Sequence, residues 1–452
     1  MRPVSVFPKD TKEEIETWQT LVHVCRRWRN VVFGSPLRLN LRLCCTPTTP
    51  VRRMLNIWPA LPLVIRKNLG RVDPTSGADD VISALKHSSR ICTIILFSSP
   101  ELANMAIMQE PFPELTDLDL KSSGTEPVVP DSFLGQSAPR LRKLELDAVP
   151  YPGLPKLLLS ATHLVTLRLW NIPHCGYIPP EAMVTCLSTL TSLEILILQF
   201  KYPYFLPDRE SRRPPPPTRS VLPALTGLWF TGVSGYLEDL LAPIDAPLLT
   251  YLRITFFHQN NFHTPRLFQF IGRTPKLKSP DEVRVQFHSD IVRVRLPSRT
   301  MGDGDIIIDI SCRASDWQLL SIAQVCASFL SFPPTLEKLY IYEPRYSRPS
   351  WKYGTENDLW LELLRPFASV KNLYLSEDFA PRIAPALQEV VGLPGGLGRV
   401  MPALHNLFVE GFRPSKPIHE GIGQFFAARK LSGCPITISL WDRDSDWFKF
   451  RD

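Results

Sequence analysis

The sequence predicts an α/β repeat protein in which short strands, one from each repeat, form a curved parallel sheet. The main observation is a phrase of the form Pro-x-Leu-x-x-Leu-x-Leu, or a close variant of it, that recurs along the chain. The copies that keep the proline are Pro113–Leu120, Pro139–Leu146, Pro223–Phe230, Pro247–Ile254, Pro334–Ile341 and Pro402–Val409. The copies without it are Ile91–Leu96, Leu164–Leu169, Leu193–Leu198 and Val370–Leu375. Repeats of this kind stack into a solenoid, because one unit cannot bury its apolar side alone.

The spacing between the copies is the second observation. The first apolar residue of successive copies falls at Ile91, Leu115, Leu141, Leu164, Leu193, Leu225 and Leu249, in steps of 24, 26, 23, 29, 32 and 24 residues. Leucine-rich repeats recur every ~20–29 residues, so most steps fit that class and two require inserted loops. The asparagine or cysteine that usually follows the strand is missing, which predicts an irregular leucine-rich-repeat-like solenoid. Solenoids usually present binding surfaces rather than catalytic pockets.

Side-chain alternation assigns each strand residue to one face of the predicted sheet. Leu118 and Leu120 point to one face, while Asp117, Asp119 and Lys121 point to the other. The same alternation predicts that six leucines lie on adjacent parallel strands of one sheet, namely Leu118, Leu144, Leu167, Leu196, Leu228 and Leu252.

The segments between the strands contain runs with helical spacing. The predicted helices are Pro152–Ser160, Glu181–Leu190, Trp317–Ser331, Glu356–Arg365, Ile383–Val391 and Gly421–Leu431. Gly433 follows the last of these at a position where glycine commonly ends a helix. Between residues 256 and 335 the repeat degrades. Three alternating runs there predict strands in a hairpin-like interruption, Val283–Phe287, Ile291–Leu296 and Ile306–Ile310.

Composition argues against several classes of protein. Of 452 residues, 44% are hydrophobic and 21% are charged, which is typical of a folded globular chain. The net charge of +7 is spread without a basic run, so no nucleic-acid partner is expected. No signal stretch and no run of membrane-spanning length occur, so no membrane association is expected. The nine cysteines include no Cys-x-x-Cys pair, which favours reduced thiols in the cytoplasm and/or nucleus.

No motif for catalysis, cofactor binding or metal binding is recognisable, and the protein is expected not to be an enzyme. The glycine-rich stretch Gly392–Gly398 lacks the Lys-Ser/Thr of a phosphate-binding loop. Asp303 and Asp305 flank a glycine but lack further acidic residues at calcium-ligand spacing, and His258 and His263 have no metal-ligand companions. Surface turns explain both glycine-containing stretches better. We therefore predict no catalytic residue, no cofactor and no metal ion.

The N-terminal segment contains a predicted helix over Trp18–Val32, which the sequence FGSP that follows it would end. Its apolar residues recur at helical spacing. They are Leu21, Val22, Val24, Cys25, Trp28, Val31 and Val32. On periodicity alone, this is an ordinary helix that packs against the end of the solenoid, with the indole of Trp28 buried.

The residues of this segment also resemble the C-terminal half of an F-box. The stretch LVHVCRRWRNVVFGSPLRLNLRL contains the phrase Val-Cys-[Lys/Arg]-Arg-Trp-Arg, which in that family marks a helix that helps to dock an adaptor. The stretches TPVRRMLNIWPALPLVI and ISCRASDWQLLSIAQVCASFLSFPPTLEKLYIYE resemble the F-box proteins with degenerate leucine-rich repeats that are found in mushroom-forming fungi. The resemblance therefore covers most of the chain.

The resemblance implies a partial F-box-like helical segment at 1–36, a linker and N-terminal capping region at 37–90, and a degenerate leucine-rich-repeat domain at 91–452 with an irregular interruption near 256–335. It further implies a substrate-recognition subunit of an SCF-type cullin–RING ubiquitin ligase, with a Skp-type adaptor and an unknown target protein as partners. The implied adaptor-binding residues are Leu21, Val24, Cys25, Trp28, Val31 and Val32.

An alternative function stays open. An F-box usually begins with Leu-Pro-x-Glu-[Ile/Leu] and an apolar helix, whereas this chain has Val6–Asp10 followed by the polar sequence TKEEIET. A stand-alone leucine-rich-repeat scaffold for protein interactions, which no longer binds the adaptor, fits the same repeats.

The face opposite the leucines carries the candidate residues for target binding. By alternation these outward residues are Arg168, Trp170, Trp229, Tyr251, Arg253, Tyr340, Tyr342 and Tyr374. Tyr, Trp and Arg dominate the energetics of protein interfaces, and a solvent-exposed row of them is hard to explain by folding. The alternatives are that loops or the C-terminal tail cover this face, or that the proline-rich insertion Arg212–Arg219 is the recognition element.

Overall fold

The computed structural model describes residues 18–34, 41–46, 55, 61–67, 78–97, 108–122, 128–201, 219–259, 261–277, 280–297, 304–312, 315–327, 336–344, 357–389, 401–412, 420–431 and 433–443. The chain divides into two compact units, Met1–Lys201 and Tyr202–Asp452, which we call the N-terminal unit and the C-terminal unit. The stretches Gly392–Gly398 and Arg212–Pro217 lie outside the described residues.

In the described part of the N-terminal unit, seven strands pair in sequence order and each is parallel to the next. They are β1 (Leu43–Cys45), β2 (Leu63–Lys67), β3 (Ile91–Phe97), β4 (Asp117–Lys121), β5 (Lys143–Asp147), β6 (Thr166–Ile172) and β7 (Ile195–Phe200). The register places Leu118 beside Leu144, Leu144 beside Leu167, and Leu167 beside Leu196. All four leucines are buried, which confirms the predicted parallel stacking within this unit.

A β-turn before the strand explains the proline in the described copies of the repeated phrase. The N–H of Leu141 donates to the carbonyl oxygen of Ala138 at 3.1 Å, with Pro139 directly after Ala138. The N–H of Leu404 donates to the carbonyl oxygen of Met401 at 3.1 Å in the same way. Proline therefore occupies the second turn position, where its fixed φ suits the turn and its missing N–H is not needed.

The described part of the N-terminal unit also has five α-helices. They are α1 (Trp18–Val22), α2 (Arg26–Gly34), α3 (Ala78–Leu85), α4 (Leu154–Ser160) and α5 (Pro180–Leu187). Helices α4 and α5 lie where helical spacing predicted them. Their apolar sides are buried, as Leu157 and Leu187 show.

The predicted single helix over Trp18–Val32 is wrong, because two short helices occupy that segment. The N–H groups of His23 and Val24 donate to the carbonyl oxygens of Thr20 and Leu21, so the last turn of α1 tightens instead of continuing. The guanidinium Nε of Arg29 donates to the carbonyl oxygen of Val22 at 3.1 Å and satisfies this helix end.

In the described part of the C-terminal unit, nine strands form one sheet. In chain order they are β9 (Gly227–Gly232), β11 (Tyr251–Phe256), β12 (Glu282–Phe287), β13 (Ile291–Leu296), β14 (Asp305–Ser311), β15 (Lys338–Tyr342), β16 (Asn372–Leu375), β17 (Asn406–Glu410) and β18 (Thr437–Trp441). Their spatial order across the sheet is β9-β11-β14-β13-β12-β15-β16-β17-β18. A separate short pair consists of β8 (Ser220–Val221) and β10 (Ile244–Asp245). Leu228 lies beside Leu252 on parallel strands, as predicted.

Strands β12, β13 and β14 form an antiparallel meander inside this otherwise parallel sheet. Strand β13 is antiparallel to both β12 and β14, while β14 runs parallel to β11 and β12 runs parallel to β15. The N–H of His288 donates to the carbonyl oxygen of Ile291 at 2.8 Å, so a two-residue loop joins β12 to β13. Such a loop allows only antiparallel pairing, which explains why the repeat pattern degrades here.

Six α-helices connect the described strands of the C-terminal unit. They are α6 (Ser234–Leu241), α7 (Pro265–Arg273), α8 (Ser315–Ala327), α9 (Asn357–Leu364), α10 (Ala380–Glu389) and α11 (Glu420–Leu431). Helix α11 ends as predicted, because Gly433 has a φ of +74° and the N–H of Cys434 donates to the carbonyl oxygen of Arg429 at 3.1 Å.

An aromatic cluster links the meander to the helices of the C-terminal unit. Trp360 on α9 is 1% exposed, and its ring centroid lies 5.9 Å from that of Phe287 on β12 and 5.6 Å from that of Phe379. Buried leucines on parallel strands, repeated turns and intervening helices confirm the predicted α/β leucine-rich-repeat-like fold.

Candidate protein-binding face

The outward side chains of the strands form, in each unit, a face opposite the buried leucines, which we call the open face of that unit. On the N-terminal open face, the register places Asp119 beside Glu145 and Glu145 beside Arg168. Lys121 and Lys143 lie on the same face of neighbouring strands. Charged residues therefore line this face, as alternation predicts.

Glu145 lies among three cations of the N-terminal open face. Its carboxylate oxygens are 3.4 Å from Lys143 Nζ, 3.5 Å from Lys121 Nζ and 3.6 Å from Arg168 Nη1. Burial by itself raises the pKa of the Glu145 carboxyl, but the three cations outweigh burial and hold this pKa below its ordinary value. Arg168 is thus already engaged by its own unit. Trp170, which was also predicted to bind the target, is half-buried.

On the C-terminal open face, Trp229 and Tyr251 form an aromatic platform. Their ring centroids are 4.8 Å apart, and both side chains are half-buried. The indole of Trp229 lies over Gly227, where an added Cβ would come within 2.4 Å of the indole Cζ3. Glycine at this position therefore lets the indole lie flat along its own strand, beside the tyrosine of β11.

We expect the substitution Gly227→Ala to displace the indole of Trp229 and to lower stability by about 1–3 kcal/mol, the usual range for overpacking. The near-UV circular dichroism of tryptophan should change with it. Gly235→Ala is the matched control, because a Cβ there meets nothing within 4 Å and alanine suits helix α6 better than glycine. Equal behaviour of the two variants would show that the platform does not depend on Gly227.

Next to the platform, three arginines of the C-terminal open face surround buried or half-buried aspartates. Arg253 lies beside Trp229 in the register, and its Nη2 donates to Asp309 Oδ2 at 3.0 Å. Arg293 Nε donates to Asp309 Oδ1 at 2.6 Å. Arg295 Nη2 donates to Asp305 Oδ2 at 3.0 Å. We call Arg253, Arg293 and Arg295 the arginine cluster.

Farther along the same sheet, three rings stack in what we call the aromatic ladder, Tyr340, Tyr374 and Phe408. The centroids of Tyr340 and Tyr374 are 4.2 Å apart, and those of Tyr374 and Phe408 are 4.5 Å apart. The indole of Trp441, at the end of β18, lies 5.8 Å from both Tyr340 and Tyr374 and 6.1 Å from Tyr342.

The expected exposure of Tyr340 and Tyr342 is wrong, although both point to the predicted face. Each is 6% exposed, because Trp441 and the neighbouring rings cover them. The alternative that the C-terminal tail covers part of this face therefore applies to these two tyrosines. Tyr374 is half-buried.

Arg443, two residues beyond β18, contacts the same aromatic side chains. Its Nη2 donates to the carbonyl oxygen of Glu343 at 2.7 Å, and its guanidinium lies 4.6 Å from the ring centroid of Tyr342. The side chain of Glu343 is buried beside it and accepts a hydrogen bond from Ser376 Oγ. Burial raises the pKa of the Glu343 carboxyl, the nearby carboxylate of Asp378 raises it further, and Ser376 and Arg443 only partly oppose the rise.

We expect Glu343→Gln to stabilise the protein at pH 8 and to have little effect at pH 4. Because the pKa of the Glu343 carboxyl is raised in the folded protein, this group lowers the free energy of unfolding as pH rises through that pKa. Below the ordinary carboxyl pKa of ~4.3 the carboxyl is protonated in both the folded and the unfolded state, so it costs no stability. Glutamine keeps an oxygen that can accept the Ser376 hydrogen bond. Urea denaturation at pH 4, 6 and 8 measures the difference, with Glu337→Gln at an exposed ion pair as control. A variant that is less stable at pH 8 would contradict the assignment.

The implied adaptor-binding residues divide between exposed and buried positions. Val24, Trp28 and Val31 are 63%, 49% and 61% exposed, so the expected burial of Trp28 is wrong. Cys25 is also exposed, Leu21 is half-buried and Val32 is buried. Of the exposed residues, Trp28 and Val31 lie three residues apart on α2, and Val24 and Cys25 directly precede that helix, so four of these side chains reach the surface of the N-terminal unit close together in the chain.

Several residues of the C-terminal open face were not predicted from the sequence. Arg293 and Arg295 alternate with valines in the run IVRVRL of β13, so alternation alone could have placed them outward. Their proximity to Arg253 could not be foreseen, because it depends on the reversed order of the meander. Trp441 is the last residue of β18 and Arg443 follows that strand, and neither carries a repeat signal.

Other kinds of site find no support in the described residues. Among them, no group of three or more His, Cys, Asp or Glu residues could hold a metal ion. No described helix combines the length and hydrophobicity that a membrane crossing requires.

Comparisons with known proteins add little beyond the geometry. No family model matches the sequence, and no curated protein matches it significantly. Among solved structures, a similar chain is the leucine-rich repeat-containing protein LegL7 from Legionella pneumophila. It is 13% identical, the match covers 88% of this chain and 99% of that chain, and the TM-score is 0.27. The class defined here, a leucine-rich-repeat-like α/β protein, therefore rests on the turns, strands and register described above.

Proposed function

We propose that this protein is a non-enzymatic recognition subunit that holds a target protein on its C-terminal open face. The proposal rests on the half-buried aromatic rings that lie beside the arginine cluster. Both groups are on the open face of the sheet, opposite the face that forms the buried core. Trp229, Tyr251 and Arg253 lie on two adjacent strands. These residue types supply most of the binding energy in protein interfaces, and rigid strands hold them in fixed positions.

We further propose that the helix pair α1–α2 docks a Skp-type adaptor, so that the chain serves as the substrate-recognition subunit of an SCF-type cullin–RING ubiquitin ligase in the cytoplasm or nucleus. The resemblance of Val24–Arg29 to the F-box phrase suggests this role. The exposure of Val24, Trp28 and Val31 supports it, because exposed apolar side chains at and just before a surface helix gain from being covered by a partner.

A stand-alone interaction scaffold is the second candidate. The observation that favours it is the polar sequence TKEEIET in place of the apolar opening helix of an F-box. Helix α1 itself has only five residues. The two candidates share the target-binding face and differ only in whether the helix pair binds an adaptor.

Co-purification of a Skp-type adaptor with the full chain tests the adaptor role. We expect capture by the wild-type chain and at least a tenfold loss with Trp28→Ala combined with Val24→Asp, since hot-spot residues contribute about 2 kcal/mol or more each. Because Trp28 is half-exposed, Trp28→Ala alone should change the free energy of unfolding by less than about 1 kcal/mol.

Leu159→Ala on α4 is the matched control, because Leu159 is an equally exposed apolar residue of the same unit. Undiminished capture by the double variant would exclude this helix pair as the docking site. Absence of capture by the wild-type chain would favour the stand-alone scaffold.

A further inference from the structure

We propose that the partner of the C-terminal open face is an acidic protein segment, which places a carboxylate on the arginine cluster and an apolar side chain on the Trp229–Tyr251 platform. This inference rests on the proposed function, in which the face binds a protein, and it specifies the chemistry of what is bound.

The charge arrangement of Asp309 is the first reason. Asp309 is 2% exposed and carries one negative charge, yet it accepts hydrogen bonds from two guanidinium groups, those of Arg253 and Arg293. The carboxylate lies beneath the arginines, while the side chain of Arg253 is 33% exposed. Cationic groups therefore reach solvent and the anion does not, so the surface at this place favours an approaching carboxylate.

The unused donors of Arg253 are the second reason. A guanidinium has five N–H groups in a planar fork. Within the described residues, Arg253 uses only Nη2, in its bond to Asp309. That bond holds the side chain in place, and the remaining N–H groups can form a charge-assisted bond with a partner's carboxylate.

The N-terminal open face provides a comparison, because its carboxylates lie beside cations of their own unit. There one carboxylate, that of Glu145, meets three cations, and its own pKa is lowered by them. A second carboxylate, Asp119, lies 3.9 Å from Lys121, so two carboxylates and three cations partly balance one another on that face. On the C-terminal open face, the half-buried Asp305 pairs with Arg295, whereas the acidic partner of Arg253 is the buried Asp309, which Arg253 shares with Arg293.

The geometry also favours a protein segment over a nucleic acid. Asp305 and Asp309 stand between the arginines on β14, so the cluster is not a continuous basic stripe that could follow a phosphate backbone. Tyr251 and Arg253 point to the same face two residues apart, or about 7 Å along the strand. An extended peptide repeats its side chains at the same interval, so the preferred segment has an Asp or Glu two residues from an apolar residue.

Peptide display against the immobilised full chain tests this inference. The probe is a library of random twelve-residue peptides, and the readout is the composition of the selected pool. We expect Asp and Glu to be enriched at least twofold over the starting library and to lie two residues from an aromatic or aliphatic residue. Binding of the selected peptides to the Arg253→Gln variant should fall about tenfold, as expected for loss of a charged hydrogen bond.

Arg273→Gln is the matched control, because Arg273 lies on helix α7 of the same unit and pairs with Asp245 at a similar exposure. Arg293 still binds Asp309 when Arg253 is replaced, so we expect the variant to fold. If it does not fold, Trp229→Ala provides the second test, because it leaves the arginine cluster intact.

Three results would overturn the inference. The first is a selected pool without enrichment of Asp or Glu. The second is a set of acidic peptides that bind the Arg253→Gln variant as well as they bind wild type. The third is displacement of the bound peptides by a thirty-nucleotide single-stranded RNA at a lower concentration than free peptide requires. Non-acidic peptides that are lost with Trp229→Ala would refute the acidic partner but keep the proposed function. Peptides that respond to no open-face variant would refute both.

Discussion

Replacing Trp360 with alanine should destabilise the C-terminal unit by ~3–5 kcal/mol, the range found when a large buried aromatic side chain is removed. Trp360 is 1% exposed and packs edge-to-face on Phe287 and Phe379. The cavity would open between helix α9 and strand β12, so the antiparallel meander should lose protection first. Urea denaturation followed by circular dichroism measures the loss, and hydrogen exchange of β12 locates it.

The matched control for this prediction is Trp317→Ala. Trp317 belongs to the same unit but is 43% exposed, so its removal should cost less than about 1 kcal/mol. If the two tryptophan variants lose similar stability, or if hydrogen exchange in β12 is unchanged in Trp360→Ala, the meander does not depend on this aromatic cluster.

Replacing Glu145 with glutamine should lower the free energy of unfolding by about 2 kcal/mol at pH 7. The change leaves Lys121, Lys143 and Arg168 close together without the carboxylate between them. Removing one partner of a fully buried ion pair costs ~3–5 kcal/mol. The lysines here reach solvent, which screens part of the repulsion.

The pH dependence of the same variant provides a second, independent readout. Because the pKa of Glu145 is lowered in the folded protein, its stabilising contribution is complete above the ordinary carboxyl pKa of ~4.3 and is lost as pH falls through the lowered value. The free energies of unfolding of wild type and Glu145→Gln should therefore become equal at low pH. Glu114→Gln, at the exposed pair with Arg140, should change stability by less than about 0.5 kcal/mol at any pH. A constant difference across pH would refute the role of the Glu145 charge.

The repeated phrase was sufficient to predict the strands, because its two physical requirements are local. Proline suits the second position of the turn, and the leucines at alternate positions need one buried face. Leu144 therefore lies in register between Leu118 and Leu167, as the sequence alone indicates. The same alternation correctly assigned Trp229 and Arg253 to the open face, and it identified the three strands of the meander.

The parts that were not predicted depend on contacts between residues far apart in the chain. Tyr340 points to the open face but is buried, because Trp441 approaches it from the end of β18. Asp309 and Arg253 meet only because the meander places β14, and not β12, beside β11. The exposure of Trp28 was also not predicted, because the periodicity over Trp18–Val32 implied one continuous helix, whereas the structure has two short ones.

The most direct test of target binding compares the proteins captured by three versions of the full chain, quantified by mass spectrometry. The first is wild type, and the second combines Trp229→Ala, Tyr251→Ala and Arg253→Gln on the C-terminal open face. The third is a matched control with Trp317→Ala, Leu248→Ala and Arg273→Gln at exposed or half-exposed positions elsewhere in the same unit. Tyr340 is left unchanged because its burial ties it to stability.

We expect the open-face variant to capture at least tenfold less of the specifically bound proteins, while the control variant captures them as wild type does. The control variant should keep the thermal stability of wild type within a few degrees, and the open-face variant should remain folded at the temperature of the assay. Undiminished capture by a folded open-face variant would contradict the claim that this face holds the target.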